Sequence, residues 1–123
     1  LYLYRSDKTR VRLGDLGDGM QMLIASRLLV EHLNPDILLW DDVESHMNPR
    51  TLVLLAEWIS DLAKQNKLII VTTHSLEALK ILADLVDNTL ILKLWLEDGK
   101  LLTEKYGSED VEELKKLGID VRA

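Results

Sequence analysis

The stretch Ile37-Leu38-Leu39-Trp40-Asp41-Asp42 decides the fold of this chain, together with Ile69-Ile70-Val71-Thr72-Thr73-His74 downstream. Each is a short apolar run that ends in polar residues. Ile37 to Trp40 reads as a strand buried on both faces of a parallel sheet, and Leu68 to Val71 as a second one. Between them Asn48-Pro49 supplies an N-cap and a first-turn proline. The helix so opened carries Leu52, Leu55, Ala56, Ile59, Leu62 and Ala63 at spacings of three and four. Strand, helix and strand in this order form a βαβ unit with an expected right-handed crossover. Both strands then deliver their carboxyl ends to one edge of the sheet, where open α/β sheets bind ligands. Asp41, Asp42 and His74 are expected at that edge.

Upstream, Leu1 to Arg5 and Thr9 to Leu13 read as two short strands about a Ser6-Asp7-Lys8 turn. A glycine-rich break, 14–19, precedes a helix from Met20 to Leu33, with Leu23, Leu28, Leu29 and Leu33 among its apolar positions. Asn34-Pro35 stops it, because proline cannot continue a helix and disfavours the α region before it. Downstream, Ser75 caps a short helix to about Ala83. Thr89 to Glu97 and Lys100 to Tyr106 form a hairpin about Asp98-Gly99. A last amphipathic helix, with Val111, Leu114 and Leu117 inward, ends at Gly118. Trp40, Trp58 and Trp95 are expected in core or half-buried roles, and Met20 and Met22 as packing residues.

With 123 residues the chain is one domain or part of one. A hydrophobic fraction of 47% and a charged fraction of 29% belong to a soluble globular protein. The absence of cysteine excludes a disulfide framework or a thiolate metal site and fits a cytoplasmic protein. No apolar run is long enough to span a bilayer. A formal charge of −6 argues against this piece alone gripping nucleic acid, since its basic residues are scattered apart from Arg5, Lys8, Arg10 and Arg12.

Three segments could carry chemistry. A carboxylate at a strand end, as at Asp41, suits Mg²⁺, which takes oxygen ligands and keeps several waters. A second carboxylate one residue on, Asp42, could orient or deprotonate an attacking water. The plainer alternative is that the two acids cap and solvate a loop. His74 could donate a hydrogen bond to a phosphate oxygen, or be an ordinary surface histidine. Leu16-Gly17-Asp18-Gly19-Met20-Gln21 places glycines at a helix start, where amides and the helix dipole favour an anion; a tight turn would look the same.

Read in order, these segments resemble the ABC-type ATPases, in particular the RecF- and OLD-like branch related to SMC proteins. Residues 16–21 resemble the signature segment. Ile37 to Pro49 resembles the Walker B strand, catalytic acid and D-loop, usually "DEPE" followed by "LHP". Thr72-Thr73-His74-Ser75 resembles the switch-histidine segment, often "THS", and the closing 118–122 is similar to a tail of some such proteins. The resemblance is close over about Leu16 to Leu79.

It implies an α/β, three-layer P-loop NTPase-like fragment with a parallel βαβ core, a preceding signature helix and a C-terminal hairpin plus helix. It also implies an ATPase that uses ATP and Mg²⁺, with 1–123 as its C-terminal lobe. By position, Asp41 would hold Mg²⁺ through its water shell, Asp42 would stand where a Glu polarises the attacking water, and His74 would touch the γ-phosphate. Gly17, Asp18 and Gly19 would meet the γ-phosphate of a nucleotide held by a second protomer in a head-to-tail homodimer, with Asn48 at that interface. Any nucleic acid would be met through the complete assembly.

Three residues depart from the pattern. Asp for Glu at 42 withdraws the carboxylate by about one methylene, and misplacement near 1 Å can cost about 10²-fold in rate. Gly17 stands where many signatures have Ser. Val43 replaces the usual Pro, a change expected to matter least. The larger departure is a missing phosphate cradle: no G-x-x-x-x-G-K-[ST] occurs, and Gly99-Lys100 is followed by Leu101. The sequence therefore points to half a site, completed by a Walker A-bearing N-terminal lobe on the same or a separate chain, and inactive alone. A second possibility is a degenerate lobe serving regulation or assembly. A phospho-receiver domain, the third, fits poorly because Asp87 precedes its strand instead of closing one.

Overall fold

The computed structural model of the chain describes residues 2–107 and 110. In order it contains β1 (Tyr2–Tyr4), β2 (Arg10–Arg12), a 3-10 turn (Leu13–Asp15), α1 (Asp18–Leu33), β3 (Ile37–Trp40), α2 (Pro49–Ala63), β4 (Leu68–Val71), α3 (Leu76–Leu85), β5 (Ile91–Glu97) and β6 (Lys100–Tyr106). The strands pair as three two-stranded sheets, β1 with β2, β3 with β4 and β5 with β6. The expected helix about Val111, Leu114 and Leu117, its Gly118 stop and the 118–122 tail lie outside the described residues.

The centre is the βαβ unit. β3 and β4 are parallel in the register Ile37↔Leu68 to Trp40↔Val71. Asn48 opens α2 by accepting the Thr51 N–H at 3.0 Å, which satisfies one of the donors a helix start leaves unpaired. Of the expected apolar stripe, Leu52, Leu55, Ala56, Ile59 and Leu62 are buried and Ala63 is half-buried, while Trp58 joins the buried set. Leu38, Trp40, Ile69 and Val71 pack against this cluster. The indoles of Trp40 and Trp58 meet edge to face, with centroids 6.3 Å apart.

The other face of the same two strands is bare: Ile37, Leu39, Leu68 and Ile70 are 58%, 75%, 54% and 50% exposed. The expectation of burial on both faces is thus corrected. The runs are apolar on both sides, as a two-sided strand requires, but the described residues supply a helical layer to one side only. α1 behaves similarly. Of its apolar positions Leu23 is buried, whereas Leu28, Leu29 and Leu33 are exposed. α1 starts at Asp18, two residues before the expected Met20, and stops at Asn34, whose φ of 45° is left-handed. Lys67 ties this end to the start of β4, donating to Asn34 Oδ1 at 2.8 Å and to the Pro35 carbonyl at 2.6 Å.

Ser75 caps α3 through the Ala78 N–H, and α3 lays Ala78 and Leu82 onto α2. The β5–β6 hairpin turns at Asp98 and Gly99, both at positive φ (49° and 75°), the geometry of a two-residue turn between twisted strands. It is joined to α3 by Ile91 and Tyr106 beside Ala83 and Leu79. Trp40 and Trp95 are half-buried and Trp58 buried, as expected, while Met20 packs on the core and Met22 is exposed.

The unequal faces give a direct contrast in stability. Leu55→Ala in the 123-residue chain should cost about 2–5 kcal/mol in urea unfolding. Leu39→Asn should stay within about 0.5 kcal/mol. Equal losses would contradict one-sided packing.

Candidate functional site at the carboxyl edge of the parallel sheet

Because β3 and β4 run parallel, Asp41 and Thr72 emerge side by side, one residue beyond the Trp40↔Val71 pair. The Thr72 N–H continues the ladder to the Trp40 carbonyl at 2.9 Å. Strand alternation carries both side chains to the bare face that holds Ile37, Leu39, Leu68 and Ile70. There the Thr72 hydroxyl donates to Asp41 Oδ1 and accepts from the Asp42 N–H at 2.9 Å. One hydroxyl thus serves as donor to the first acid and acceptor for the amide of the second.

Beyond Asp41 the chain makes a closed loop. Asp42 and His46 have left-handed φ values of 47° and 62°, uncommon for residues with a side chain. The loop is held by Ser45 N–H to the Asp42 carbonyl and Met47 N–H to the Glu44 carbonyl, both 2.9 Å. Val43 is fully buried, and its N–H donates to the Thr72 carbonyl at 3.0 Å. A proline could not make that bond, so this departure matters more than expected. His74 Nε2 lies 3.5 Å from Asp42 Oδ1, with both side chains largely exposed. The pair is in reach of a shared ligand but too long for a strong direct hydrogen bond.

Glu44 was not singled out in the sequence, yet it holds the loop bearing His74. Its Oε1 accepts the His74 N–H at 2.8 Å. Its Oε2 is enclosed, without a partner of good hydrogen-bond geometry among the described residues. Burial works to raise the Glu44 pKa, but the nearby Thr73 hydroxyl and the His74 amide outweigh it and hold the carboxyl below its ordinary value. A carboxyl lowered in this way stabilises the fold above the ordinary Glu range and loses that contribution as the pH falls through the lowered value.

The glycine-rich segment meets the site from the other end of the loop. Gly19 is buried, and a Cβ on it would lie 2.5 Å from the His46 carbonyl oxygen and 3.1 Å from Met47 Cα. Its lack of a side chain is therefore required by packing within one chain. Gly17 is the N-cap of α1 and accepts from the Met20 and Gln21 amides at 3.0 and 3.1 Å. Asp18 is exposed in the first turn, where its charge suits the helix dipole but would oppose an anion. Asn48 has a complete local role as the cap of α2.

The structure thus gathers Asp41, Asp42 and His74 at one edge and joins Gly19 to them through the His46–Met47 backbone. Thr72, Glu44 and the Val43 amide are additions that strand register and loop closure reveal. Among the described residues no group of three His, Asp or Glu forms a metal cage. The exposed Asp41 carboxylate beside the Thr72 hydroxyl is a hard-oxygen donor set of the kind Mg²⁺ shares with waters and phosphates.

Gly19→Ala should destabilise the chain by about 1–3 kcal/mol in thermal melts, because the His46 backbone must move. Gly17→Ser, with open space at its Cβ, should stay within about 0.5 kcal/mol. Similar losses at both positions would contradict the close approach.

The family model described as "AAA domain, putative AbiEii toxin, Type IV TA system" matches residues 1–80. A "Putative ABC transporter ATP-binding protein" of Methanosarcina acetivorans is 38% identical over 61 residues, covering 50% of this chain and 21% of that protein. The "Teichoic acids export ATP-binding protein TagH" of Lactiplantibacillus plantarum is 28% identical over 109 residues, covering 89% of this chain and 28% of that protein. The chain therefore spans about a quarter of the length of these relatives. Among solved structures, one from "Structural biochemistry of ATP-driven dimerization and DNA stimulated activation of SMC ATPases" aligns with a TM-score of 0.69 at 17% identity, over 89% of this chain and 66% of that one. An Smc head domain from Pyrococcus furiosus aligns with a TM-score of 0.59 at 15% identity, over 89% and 27%. These likenesses show the mixed α/β, P-loop NTPase-like fold of an SMC ATPase head. The family match extends over the first 80 residues, which include the glycine-rich segment, both acids and His74, and the chain belongs to this AAA-domain family.

Proposed function

We propose that the chain supplies the acid-bearing half of an ATP-hydrolysing site and that a Walker A-bearing lobe supplies the phosphate cradle. The observation that carries this reading is the convergence of Asp41, Asp42 and His74 at the carboxyl edge of a parallel strand pair. The bare apolar face supports the second half of the proposal. Ile37, Leu39, Leu68 and Ile70 lie on the same side as Asp41 and Thr72, so a lobe that covers those residues approaches the acids directly.

In this reading Asp41 holds Mg²⁺, directly or through water, with Thr72 fixing the carboxylate. The ion, when bound, supplies positive charge against the β- and γ-phosphates. Asp42 orients the attacking water and accepts its proton as the water oxygen bonds to the γ-phosphorus. The bond to the bridging oxygen breaks, leaving ADP and inorganic phosphate. His74 donates to a γ-phosphate oxygen. The amides of Gly17, Asp18 and Gly19 meet the nucleotide of a second, head-to-tail copy, and Asn48 lies at that interface. The setting is cytoplasmic, where ATP is available, and among the described residues no helix is long and apolar enough to cross a membrane.

The short side chain of Asp42 favours slow hydrolysis and gives the competing reading, a catalytically degenerate lobe for regulation or assembly, its one specific support. Asp42→Glu in the full-length protein separates the two. ATPase activity with a kcat raised at least tenfold identifies the shortened acid as the brake. No change in turnover favours the regulatory module.

A further inference from the structure

We infer that Glu44 is a positioning residue that sets where His74 stands relative to Asp42. The His74 imidazole is 75% exposed, and its nearest charged neighbour, Asp42 Oδ1, is 3.5 Å away, so no strong side-chain bond fixes the ring. Its placement must come from its backbone. That backbone is held by a charge-assisted bond across 30 residues of sequence, His74 N–H to Glu44 Oε1 at 2.8 Å.

Glu44 is itself well anchored. Val43 beside it is fully buried, and the Glu44 carbonyl accepts the Met47 N–H. Its second oxygen is shut in, so the carboxylate has little room to turn. On the other side, Ser75 N–H donates to the Thr73 hydroxyl at 3.0 Å and Ser75 caps α3, so the segment after β4 is a tight turn with few other long-range ties. Without Glu44, the Thr72 clamp would still hold Asp41 and Asp42, while His74 would keep its chain neighbours and the 3.5 Å contact of its ring with Asp42, with no long-range bond to its own amide. The acids and the histidine are thus registered by two separate devices, and Glu44 is the second.

The kinetic part of the test rests on the ATPase reading above, whereas the exchange part does not. In full-length protein without nucleotide, Glu44→Ala should speed amide hydrogen exchange at His74 at least tenfold while the Leu55 amide in α2 is unchanged. Unchanged exchange at His74, or an equal rise at Leu55, overturns the inference. In ATP turnover, Glu44→Ala should lower kcat at least tenfold with KM within about twofold, since only the placement of a group that meets the reacting phosphate is lost. Glu44→Gln, which keeps an acceptor for the His74 N–H, should recover most of that loss. In a His74→Ala background, Glu44→Ala should cost less than twofold more. Full additivity would show that Glu44 acts independently of His74 and would overturn the inference. Faster exchange at His74 in Glu44→Ala, where the wild-type protein shows no ATPase activity, would support the tether and contradict the ATPase reading.

Discussion

Parallel pairing of Ile37–Trp40 with Leu68–Val71 is the constraint from which the site follows. Parallel neighbours cannot be joined by a tight turn, so α2 must cross over, and its buried stripe from Leu52 to Leu62 clamps the pair from one side. The same pairing brings the residues after each strand to one edge. Asp41 falls opposite Thr72, and a single hydroxyl bonds both the first acid and the amide of the second. Without the register, the acid pair and His74 would sit on two unrelated loops.

From that edge the structure is organised by the loop 42–47. Its two left-handed residues and buried Val43 make it a fixed object in place of a flexible connection. Backbone held in sparsely populated conformations persists where the surroundings determine it, and such places are often functional. Glu44 reaches from this loop to the His74 amide, and the His46 carbonyl is the surface on which Gly19 sits. The signature-like helix, the acids and the histidine are therefore linked within one chain. A shift at the start of α1 would be felt at the acid loop, because the closest approach there is backbone to backbone and cannot be absorbed by a rotamer change.

Much of this was legible in the sequence because the signals were local. The Asn48-Pro49 start, the α2 stripe, the Asn34-Pro35 stop and the Asp98-Gly99 turn each follow from residue chemistry within a few positions, and the elements lie where those signals put them. Less was legible where the answer depended on what lies across the fold. Ile37 and Leu39 are as apolar as Leu38 and Trp40, so composition could not say that only one face is covered by the described residues. The exposure of Leu28, Leu29 and Leu33 on α1 was hidden for the same reason. At the site, the clustering of Asp41, Asp42 and His74 followed from topology alone. Thr72 required the register, and Glu44 required the closed form of a loop that no periodicity encodes. Gly19 was read as a ligand contact, and its packing against His46 was invisible until the two segments were seen together.

The central claim is that Asp41 is the metal-holding residue of an ATP site completed by residues beyond this chain. Mn²⁺, a paramagnetic substitute for Mg²⁺, tests it most directly when titrated into the full-length protein with ATP and followed by electron paramagnetic resonance. The account predicts ATP-dependent Mn²⁺ binding by the wild type. It also predicts affinity weakened at least tenfold by Asp41→Asn, with ATP affinity kept within a few-fold. Mn²⁺ binding that is equally tight in the Asp41→Asn protein would contradict it.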